Sequence, residues 1–365
     1  MFKIGLIINP VAGVGGRVGL KGSDGEEIQK LAFEKGAEKE SEKKTRIALR
    51  ELEPLKEELV FYTAPKMMGE NLLQDMGFHY TVLGTVGDVT TPKNTEEVAQ
   101  AMKEEGVELL VFAGGDGTAR NIFSALDLRV PCLGVPAGVK IHSAVYANNP
   151  KSAGEAIFHY IQNKSNIRLI QSEVMDIDEE LFRKDIVKAK LFGYLSVPQL
   201  KNLMQNPKAG AKTEDHDVAG IADELRDKMA EMPSDTTYVF GTGSTTYNIM
   251  KMLGYEGSLL GVDVVKNGNV ILKDAAEPQL YETIDPGKTV LIVTLIGGQG
   301  HIFGRGNQQL SPRVIKSIGL DNIWIVSAAN KLHDLCGRPL MVDTSDPELD
   351  REIAGYRKVI VGWQQ

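Results

Sequence analysis

Residues 109–118 read Leu109-Leu110-Val111-Phe112-Ala113-Gly114-Gly115-Asp116-Gly117-Thr118, and they indicate the fold class more clearly than any other stretch. The consecutive apolar residues predict a buried strand, and the glycines that follow predict a turn. Ile122, Phe123 and Leu126 then recur at helical spacing, so we expect a helix directly after the turn. A strand that passes through a glycine turn into a helix is typical of a parallel α/β sheet.

The same order of strand, turn and helix recurs upstream of this stretch. Short apolar runs bounded by turn residues predict further strands at residues 4–8, 59–62 and 80–83. Asn94 and Glu97 form a capping-box pattern that predicts the start of a helix, and Gly106 marks its end. We therefore expect residues 1–148 to form an α/β domain with a parallel sheet.

The pattern changes after the first domain, where strands predominate. Strands are predicted at residues 167–177, 186–197, 237–240, 259–265, 269–272 and 290–295. Residues 149–320 are therefore expected to form a β-rich second domain. Short apolar strands at residues 323–327 and 359–361 flank a predicted helix at 347–353, and we expect residues 321–365 to return to the first domain.

The composition is that of an ordinary globular protein with room for two domains. Of the 365 residues, 42% are hydrophobic and 25% are charged, which excludes a disordered or fibrous chain. The net charge of −8 argues against sequence-independent binding to nucleic acid, which needs basic surface. No apolar run is long enough for a membrane span or a signal peptide. With only Cys132 and Cys336, which form no disulfide framework, we expect a cytoplasmic protein.

Glycine is the unusual part of the composition, because nearly half of the 38 glycines lie in five loops that each follow a predicted strand. Open α/β sheets bind ligands at such loops, where glycine lets backbone N–H groups approach a phosphate closely. We therefore expect nucleotide phosphates there. Taken alone, residues 9–25 could also be a flexible surface loop. The candidate contacts in that loop are Asn9, Gly13, Gly15, Gly16, Arg17 and Lys21.

Asp116 lies in the middle of a loop suited to anions. A carboxylate there repels phosphate, so its presence indicates a separate chemical role. It could hold Mg²⁺ or accept a proton from an attacking hydroxyl, and both roles belong to phosphoryl transfer. The alternative is a tight turn in which Asp116 caps the helix. We take Asp116 as the candidate catalytic residue. The candidate phosphate contacts beside it are Gly114, Gly115, Gly117 and Thr118.

The remaining glycine loops supply further candidates. Residues 241–247 offer small hydroxyl side chains and one aromatic ring to a ribose or an amide. Residues 134–138 follow a short strand, and residues 297–308 contain a single cation that could bind a phosphate. The candidate contacts in these last two loops are Gly138, Gly300 and Arg305.

A few charged residues near the loops have two interpretations. Arg120 and Lys140 follow phosphate-type loops and could neutralise ligand charge, but they could equally be solvated surface groups. His142 and His301 could contact a ligand, or they could be structural histidines with satisfied hydrogen bonds.

Two of the loops together resemble the signatures of the ATP-NAD kinase family. These signatures are a G-G-D-G-T loop, as in residues 114–118, and a T-G-S-T-A-Y loop, as in Thr242-Gly243-Ser244-Thr245-Thr246-Tyr247. Diacylglycerol and sphingosine lipid kinases share the first loop, whereas the pair is much more specific. The resemblance spans essentially the whole chain. The stretches that resemble the divergent AcoX-like branch, with its bacterial and archaeal predicted NAD kinases, are residues 9–25, 260–265, 297–309 and 337–344.

The resemblance implies an NAD kinase/diacylglycerol kinase-like α/β domain that binds nucleotide, a β-rich substrate domain, an active site between them and a homo-oligomer. It implies transfer of the γ-phosphoryl of ATP to the 2′-hydroxyl of NAD with Mg²⁺, without indicating the metal ligands. Asp116 matches the family's catalytic aspartate. The residues that match its NAD loop are Thr242, Gly243, Ser244, Thr245 and Tyr247. Thr246 replaces the usual alanine, and the Asn-Glu pair that normally precedes this loop has no clear counterpart.

Three functions are compatible with these residues, all with small-molecule nucleotides as partners. The first is an ATP- and Mg²⁺-dependent kinase that converts NAD to NADP. The second is a kinase of the same fold that acts on a lipid or a small-molecule hydroxyl, although the charge of −8 is unfavourable at an anionic membrane surface. The third is a non-catalytic, AcoX-like nucleotide-binding or regulatory protein, which the missing Asn-Glu pair favours.

Overall fold

The chain folds into two units, each built on its own sheet. The computed structural model describes residues 1–20, 26–87, 89–126, 128–139, 141–177, 189–200, 202–205, 215–296 and 299–365. The first unit comprises Met1–Val14, Gly22–Phe33 and Glu38–Pro207. The second comprises Gly15–Lys21, Glu34–Ala37 and Lys208–Gln365.

A five-stranded parallel sheet organises the first unit. Its strands are β1 (Phe2–Ile8), β2 (Leu59–Thr63), β3 (Tyr80–Val82), β4 (Leu109–Gly114) and β5 (Cys132–Pro136). They lie in the order β3-β2-β1-β4-β5. Strand β4 is buried along its whole length, which is why its sequence is a continuous apolar run. The strand order reverses between β1 and β4, so the carboxyl ends of these two strands border the crevice where such sheets bind ligands.

Helices lie along both faces of this sheet, and a strand pair follows them in the chain. The helices are α1 (Glu26–Glu34), α2 (Ser41–Arg50), α3 (Glu70–Met76), α4 (Pro92–Glu104), α5 (Asp116–Ala125) and α6 (Pro150–Asn163), with 3-10 turns at Glu53–Glu58 and Lys66–Met68. Strands β6 (Leu169–Ile177) and β7 (Ala189–Pro198) pair antiparallel. Helix α4 begins earlier than its predicted cap at Asn94, because Thr91 is the N-cap residue and its N–H donates to Asn94 Oδ1 at 2.9 Å.

The apolar residues of β1 alternate between two packed layers. Leu6 and Ile8 pack with residues of α2 and α6, among them Leu49 and Ile157. Ile7 packs in the opposite layer with residues of α4 and α5. Because both faces are covered, the sheet needs no polar alternation in its central strands.

A mixed sheet organises the second unit. Its strands are β8 (Thr237–Phe240), β9 (Asp263–Lys266), β10 (Asn269–Leu272), β11 (Thr289–Thr294) and β13 (Ile323–Val326), in the order β10-β9-β8-β11-β13. A small parallel pair is formed by β12 (His301–Phe303) and β14 (Met341–Val342). The helices are α7 (Asp215–Glu231), α8 (Ser244–Met252), α9 (Glu277–Thr283), α10 (Pro312–Ile318), α11 (Ala329–His333) and α12 (Pro347–Ile353), with a 3-10 turn at Leu320–Asn322.

The predicted fold class, a parallel α/β domain followed by a sheet-rich region, is confirmed. The division of the chain differs from the expected boundary between residues 148 and 149, because the first unit extends to Pro207 and includes the β6–β7 pair. Residues 321–365 also belong to the second unit, since β13 pairs in parallel with β11 from Leu291–Ile323 to Thr294–Val326. An apolar run predicts a strand but does not indicate its partner. Nowhere in the described ranges is a helix long and apolar enough to cross a membrane.

Gly134 of β5 provides a test of how tightly the first unit is packed. A Cβ at this position would lie 2.3 Å from Cδ1 of Tyr146, whose ring is fully buried against Phe112. We expect Gly134→Ala to lower the free energy of unfolding by about 2 kcal/mol, because a buried ring and strand backbone must move apart. Urea denaturation measures the change.

Gly87→Ala is the matched control. Gly87 is exposed, its φ lies outside the left-handed region, and the nearest atom to an added Cβ is 3.8 Å away. Its effect should stay within about 0.5 kcal/mol. Equal losses in the two variants would contradict the packing argument.

Candidate active site

Three loops meet at the carboxyl edge of the first sheet, after β1, β4 and β5. Asn9 Nδ2 donates to Thr118 Oγ1 at 3.0 Å, and the Asn9 N–H donates to the carbonyl of Ala113 at 2.9 Å. The N–H groups of Ala137 and Gly138 both donate to the carbonyl of Gly114 at 2.9 Å. The structure therefore brings together predicted site residues from three separate parts of the sequence, at the place where the strand order reverses.

Two of the predicted glycines are explained by contacts between these loops. Gly13 has a φ of +79°, and a Cβ there would lie 2.3 Å from the carbonyl oxygen of Ala137. A Cβ on Gly114 would lie 2.2 Å from Thr118 Oγ1. Only glycine allows both approaches. Part of the glycine excess therefore serves the close packing of the loops on one another.

The carboxylate of Asp116 is buried and accepts four hydrogen bonds from two consecutive residues. Its Oδ2 accepts from the His142 N–H at 2.8 Å and contacts His142 Nδ1 at 3.0 Å. Its Oδ1 accepts from the Ser143 N–H at 3.0 Å and from Ser143 Oγ at 2.7 Å. Asp116 is the first residue of α5 and Gly115 is the N-cap, so the alternative in which Asp116 caps the helix is not what the structure shows.

Further contacts hold the other predicted residues of this region. The hydroxyl of Tyr146 donates a hydrogen bond to the carbonyl of Gly115 at 2.6 Å, which anchors the loop of residues 114–118. Arg120 forms an ion pair with Asp176 at 2.8 Å, and its guanidinium lies over the ring of Phe192. The guanidinium of Arg120 is therefore already engaged by a carboxylate and an aromatic ring.

In the second unit, the T-G-S-T loop follows β8 and leads into α8. Gly243 has a φ of +123°, and Thr246 Oγ1 donates to its carbonyl at 3.0 Å, so the added hydroxyl of Thr246 stabilises the turn. Lys331 Nζ donates to Thr245 Oγ1 at 2.7 Å. Tyr247 lies under the ammonium of Lys251, 4.3 Å from the ring centroid. Thr242 is half-buried and Ser244 exposed.

Arg17 and the buried Glu277 belong to one ion-pair cluster in the second unit. Glu277 accepts from Arg313 Nε and Nη2, each at 2.6 Å, and from Ser311 Oγ at 2.6 Å. Arg17 Nη2 lies 3.5 Å from Glu277 Oε1. Burial alone would raise the pKa of Glu277, but the hydrogen bonds from Arg313 and Ser311 and the charge of Arg17 outweigh it and lower the pKa.

Arg305 is held inside the second unit. Its guanidinium is buried, pairs with the buried carboxylate of Asp343 and donates to the carbonyl of Gly304 at 3.2 Å. A phosphate contact by Arg305 would require this ion pair to be broken. Gly300, with a φ of +80°, donates its N–H to the carbonyl of Ile296 at 2.9 Å. Gly16 packs on Gln308, and Gly15 is buried.

No preformed metal site is seen in the part of the chain that the structure describes. None of its groups of three or more His, Cys, Asp and Glu residues could hold a metal ion. Both oxygens of Asp116 are occupied by hydrogen bonds, and a carboxylate offers only about four lone-pair positions. We therefore assign no residue to Mg²⁺.

Two family models match the chain, one in its N-terminal part and one in its C-terminal part. The model of the ATP-NAD kinase N-terminal domain matches residues 4–165, and that of the ATP-NAD kinase C-terminal domain matches residues 234–365. The chain belongs to the ATP-NAD kinase family. The resemblance inferred from residues 114–118 and 242–247 is thereby confirmed.

Relatives outside the family models are distant. No curated protein matches this chain. Two solved structures from Bacillus anthracis str. Sterne match it, one assigned as a diacylglycerol kinase and one described as a diacylglycerol kinase. Their identities are 16% and 15%, with TM-scores of 0.24 and 0.25. Each match covers 48% of this chain, and 43% and 46% of the respective relatives, which is less than half of their length.

Ser143 and Lys331 contact predicted site residues but were not themselves predicted, although a polar His142-Ser143 pair inside an otherwise apolar stretch was a usable signal for Ser143. The roles of the predicted residues as ligand contacts stay predictions. The predicted residues that lie outside the described ones are Lys21, Lys140, Gly297 and Gly298.

Glu277→Gln tests the ion-pair cluster. A group whose pKa is lowered by folding stabilises the fold above its unfolded pKa and loses this contribution as the pH falls. At pH 7 we expect the free energy of unfolding of the variant to be about 2 kcal/mol lower than that of the wild type, because charge-assisted hydrogen bonds are lost. The difference should shrink as the pH falls below the unfolded pKa of about 4.3, since the unfolded chain then takes up a proton that folded Glu277, with its lowered pKa, does not yet bind.

Urea denaturation at both pH values measures this effect, with the exposed Glu256→Gln as the control. The control should change little at either pH. A Glu277→Gln deficit that stays constant with pH would refute the ionic contribution.

Arg305→Met tests whether Arg305 has a structural role. The variant leaves the buried Asp343 without its arginine, so we expect the free energy of unfolding to fall by about 3 kcal/mol. Combining Arg305→Met with Asp343→Leu removes both charges and should restore most of the loss. A double-mutant cycle by denaturation measures both, and an Arg305→Met variant as stable as the wild type would exclude the structural role.

Proposed function

We propose that this protein transfers the γ-phosphoryl of ATP to the 2′-hydroxyl of NAD and so forms NADP. The family assignment supports a phosphotransferase. The observation that carries the proposal is the hydrogen-bonded cluster of loops at the strand-order reversal of the first sheet, with the carboxylate of Asp116 beside it.

Backbone amides supply most of the phosphate attraction in this proposal. The ten-residue helix α5 begins at the loop of residues 114–118, so the N–H groups of its first turn favour an anion there. Asn9 and Thr118 hold each other in place and keep this loop in register with β1. Phosphoryl transfer depends mainly on such positioning and on electrostatic stabilisation.

The T-G-S-T loop is the proposed contact for the dinucleotide. Its members are Thr242, Gly243, Ser244, Thr245 and Tyr247. Lys331 adds a cation to this loop through Thr245, and a cation suits the pyrophosphate of NAD. Mg²⁺ usually keeps several waters and binds through substrate phosphates, so in this proposal it enters with ATP.

The missing Asn-Glu pair before residue 242 favours a second candidate function. This candidate is a kinase of the same family that phosphorylates a lipid or a small-molecule hydroxyl. A non-catalytic nucleotide-binding protein is the third outcome. The homo-oligomer and the cytoplasmic location stay predictions.

The direct test incubates the purified protein with ATP, Mg²⁺ and NAD and measures NADP with an NADP-specific dehydrogenase. We expect NADP to form, and Asp116→Asn to reduce turnover by about 100-fold or more because the acid–base machinery is lost. Nucleotide binding, measured by titration calorimetry, should change by less than about threefold, since the loop amides remain.

The exposed Asp321→Asn is the control and should retain full turnover. NADP formation that survives Asp116→Asn would remove Asp116 from the mechanism. Absence of NADP with ATP and with polyphosphate would refute the proposed function, and NAD binding without turnover would favour a regulatory protein.

A further inference from the structure

Asp116 has little spare acceptor capacity in this structure. Four hydrogen bonds from His142 and Ser143 occupy its two oxygens, and a carboxylate has about four lone-pair positions. Asp116, His142 and Ser143 are 5%, 6% and 0% exposed. A substrate hydroxyl that gave its proton to Asp116 would have to compete with these donors for the carboxylate oxygens.

The contact with the ring assigns a tautomer to His142. An ionised carboxylate only accepts hydrogen bonds, so the hydrogen between Nδ1 and Asp116 Oδ2 belongs to Nδ1. In the neutral imidazole the lone pair then lies on Nε2. Ser143 holds the other side of the carboxylate. Its Oγ accepts from the Met175 N–H at 3.0 Å, and its one hydroxyl hydrogen is shared between Asp116 Oδ1 at 2.7 Å and the Met175 carbonyl at 2.8 Å.

We propose that His142 Nε2 accepts the proton of the phosphoryl-acceptor hydroxyl and that Asp116 is the residue that positions the ring. This inference rests on the proposed function in one respect, that the reaction is phosphoryl transfer from ATP to a hydroxyl. The hydroxyl oxygen bonds to the γ-phosphorus, and the bond from that phosphorus to the β–γ bridging oxygen breaks. ADP leaves with the electron pair, and the hydroxyl proton moves to Nε2.

The arrangement follows a general rule for histidine bases. A carboxylate bonded to one ring nitrogen fixes the tautomer and orientation, and it stabilises the imidazolium that forms when the other nitrogen takes a proton. A purely structural cluster would use the same four hydrogen bonds to hold residues 142–143 against α5. The two roles differ in what Nε2 does, so the decisive variants must change Nε2 alone.

The first test needs no substrate. Nitrogen-15 NMR of the imidazole rings reports which nitrogen carries the hydrogen, and the signal of His142 is assigned by its loss in His142→Asn. We expect the Nδ1–H tautomer in the wild type and a mixture of tautomers in Asp116→Asn. A wild-type His142 with its hydrogen on Nε2 would overturn the proposal.

The second test uses His142→Asn, whose side-chain amide nitrogen takes the place of Nδ1. This variant keeps a donor to Asp116 but has no counterpart of Nε2. With ATP, Mg²⁺ and NAD, we expect kcat to fall by about 100-fold or more while KM changes by less than about threefold. Its thermal midpoint should stay near that of the wild type.

Matched variants decide between His142 and Asp116 as the base. Ser143→Ala removes one of the four hydrogen bonds and leaves the ring in place, so kcat should fall by less than about tenfold. Combining Asp116→Asn with His142→Asn should lower kcat no further than either change alone, because the two residues act as a unit. If His142→Asn retains kcat within about tenfold while Asp116→Asn abolishes it, Asp116 is the base and the proposal is overturned.

The two proposals can fail separately. Wild-type protein that forms no NADP refutes the proposed function and, with it, the proton-transfer role of His142, while the NMR result still shows whether Asp116 positions the ring. Wild-type NADP formation together with an active His142→Asn refutes only the present inference.

Discussion

A buried carboxylate must be hydrogen-bonded or paired, and the loops around Asp116 are arranged to satisfy that requirement. Its partners are 26 and 27 residues further along the chain, beyond β5. The helix that begins at Asp116 and the segment after β5 therefore have to meet at one edge of the sheet. Gly114 adds a second link, because its carbonyl accepts from the N–H groups of residues 137 and 138. The position of the whole site depends on these few short-range bonds.

The fold could be predicted from the sequence wherever the signal was local. The apolar run of β4, the glycines after it and the helical spacing after those lie within twenty residues or so, about the length of one strand–turn–helix unit. The strand with which a predicted strand pairs cannot be predicted in this way, because pairing is decided by packing between distant segments. The strand Ile323–Val326 was predicted as a strand, but only its pairing with β11 reveals which sheet it extends. Helix α4 also begins before the predicted cap at Asn94, since Thr91 is the N-cap residue.

The candidate site shows the same limit. Sequence patterns marked Asn9, Gly114 and Gly138 as separate candidate contacts. The structure brings them together, because the parallel strands before them end at one edge of the sheet. Sequence patterns identified Arg305 as a cation but could not reveal Asp343, which comes 38 residues later and is buried beside it. Lys331 was missed for the same reason, since its contact with Thr245 joins distant segments, whereas the polar His142-Ser143 pair was a local signal for Ser143.

The pairing of the arginines has a consequence for how this protein would respond to salt. Arg17, Arg120 and Arg305 each face a carboxylate, namely Glu277, Asp176 and Asp343. Attraction for nucleotide phosphates would then come mainly from neutral backbone amides, whose dipoles act over short distances where mobile ions have little room to screen them. Affinity for a nucleotide is therefore expected to change less between low and moderate ionic strength than in a site built from unpaired lysines and arginines.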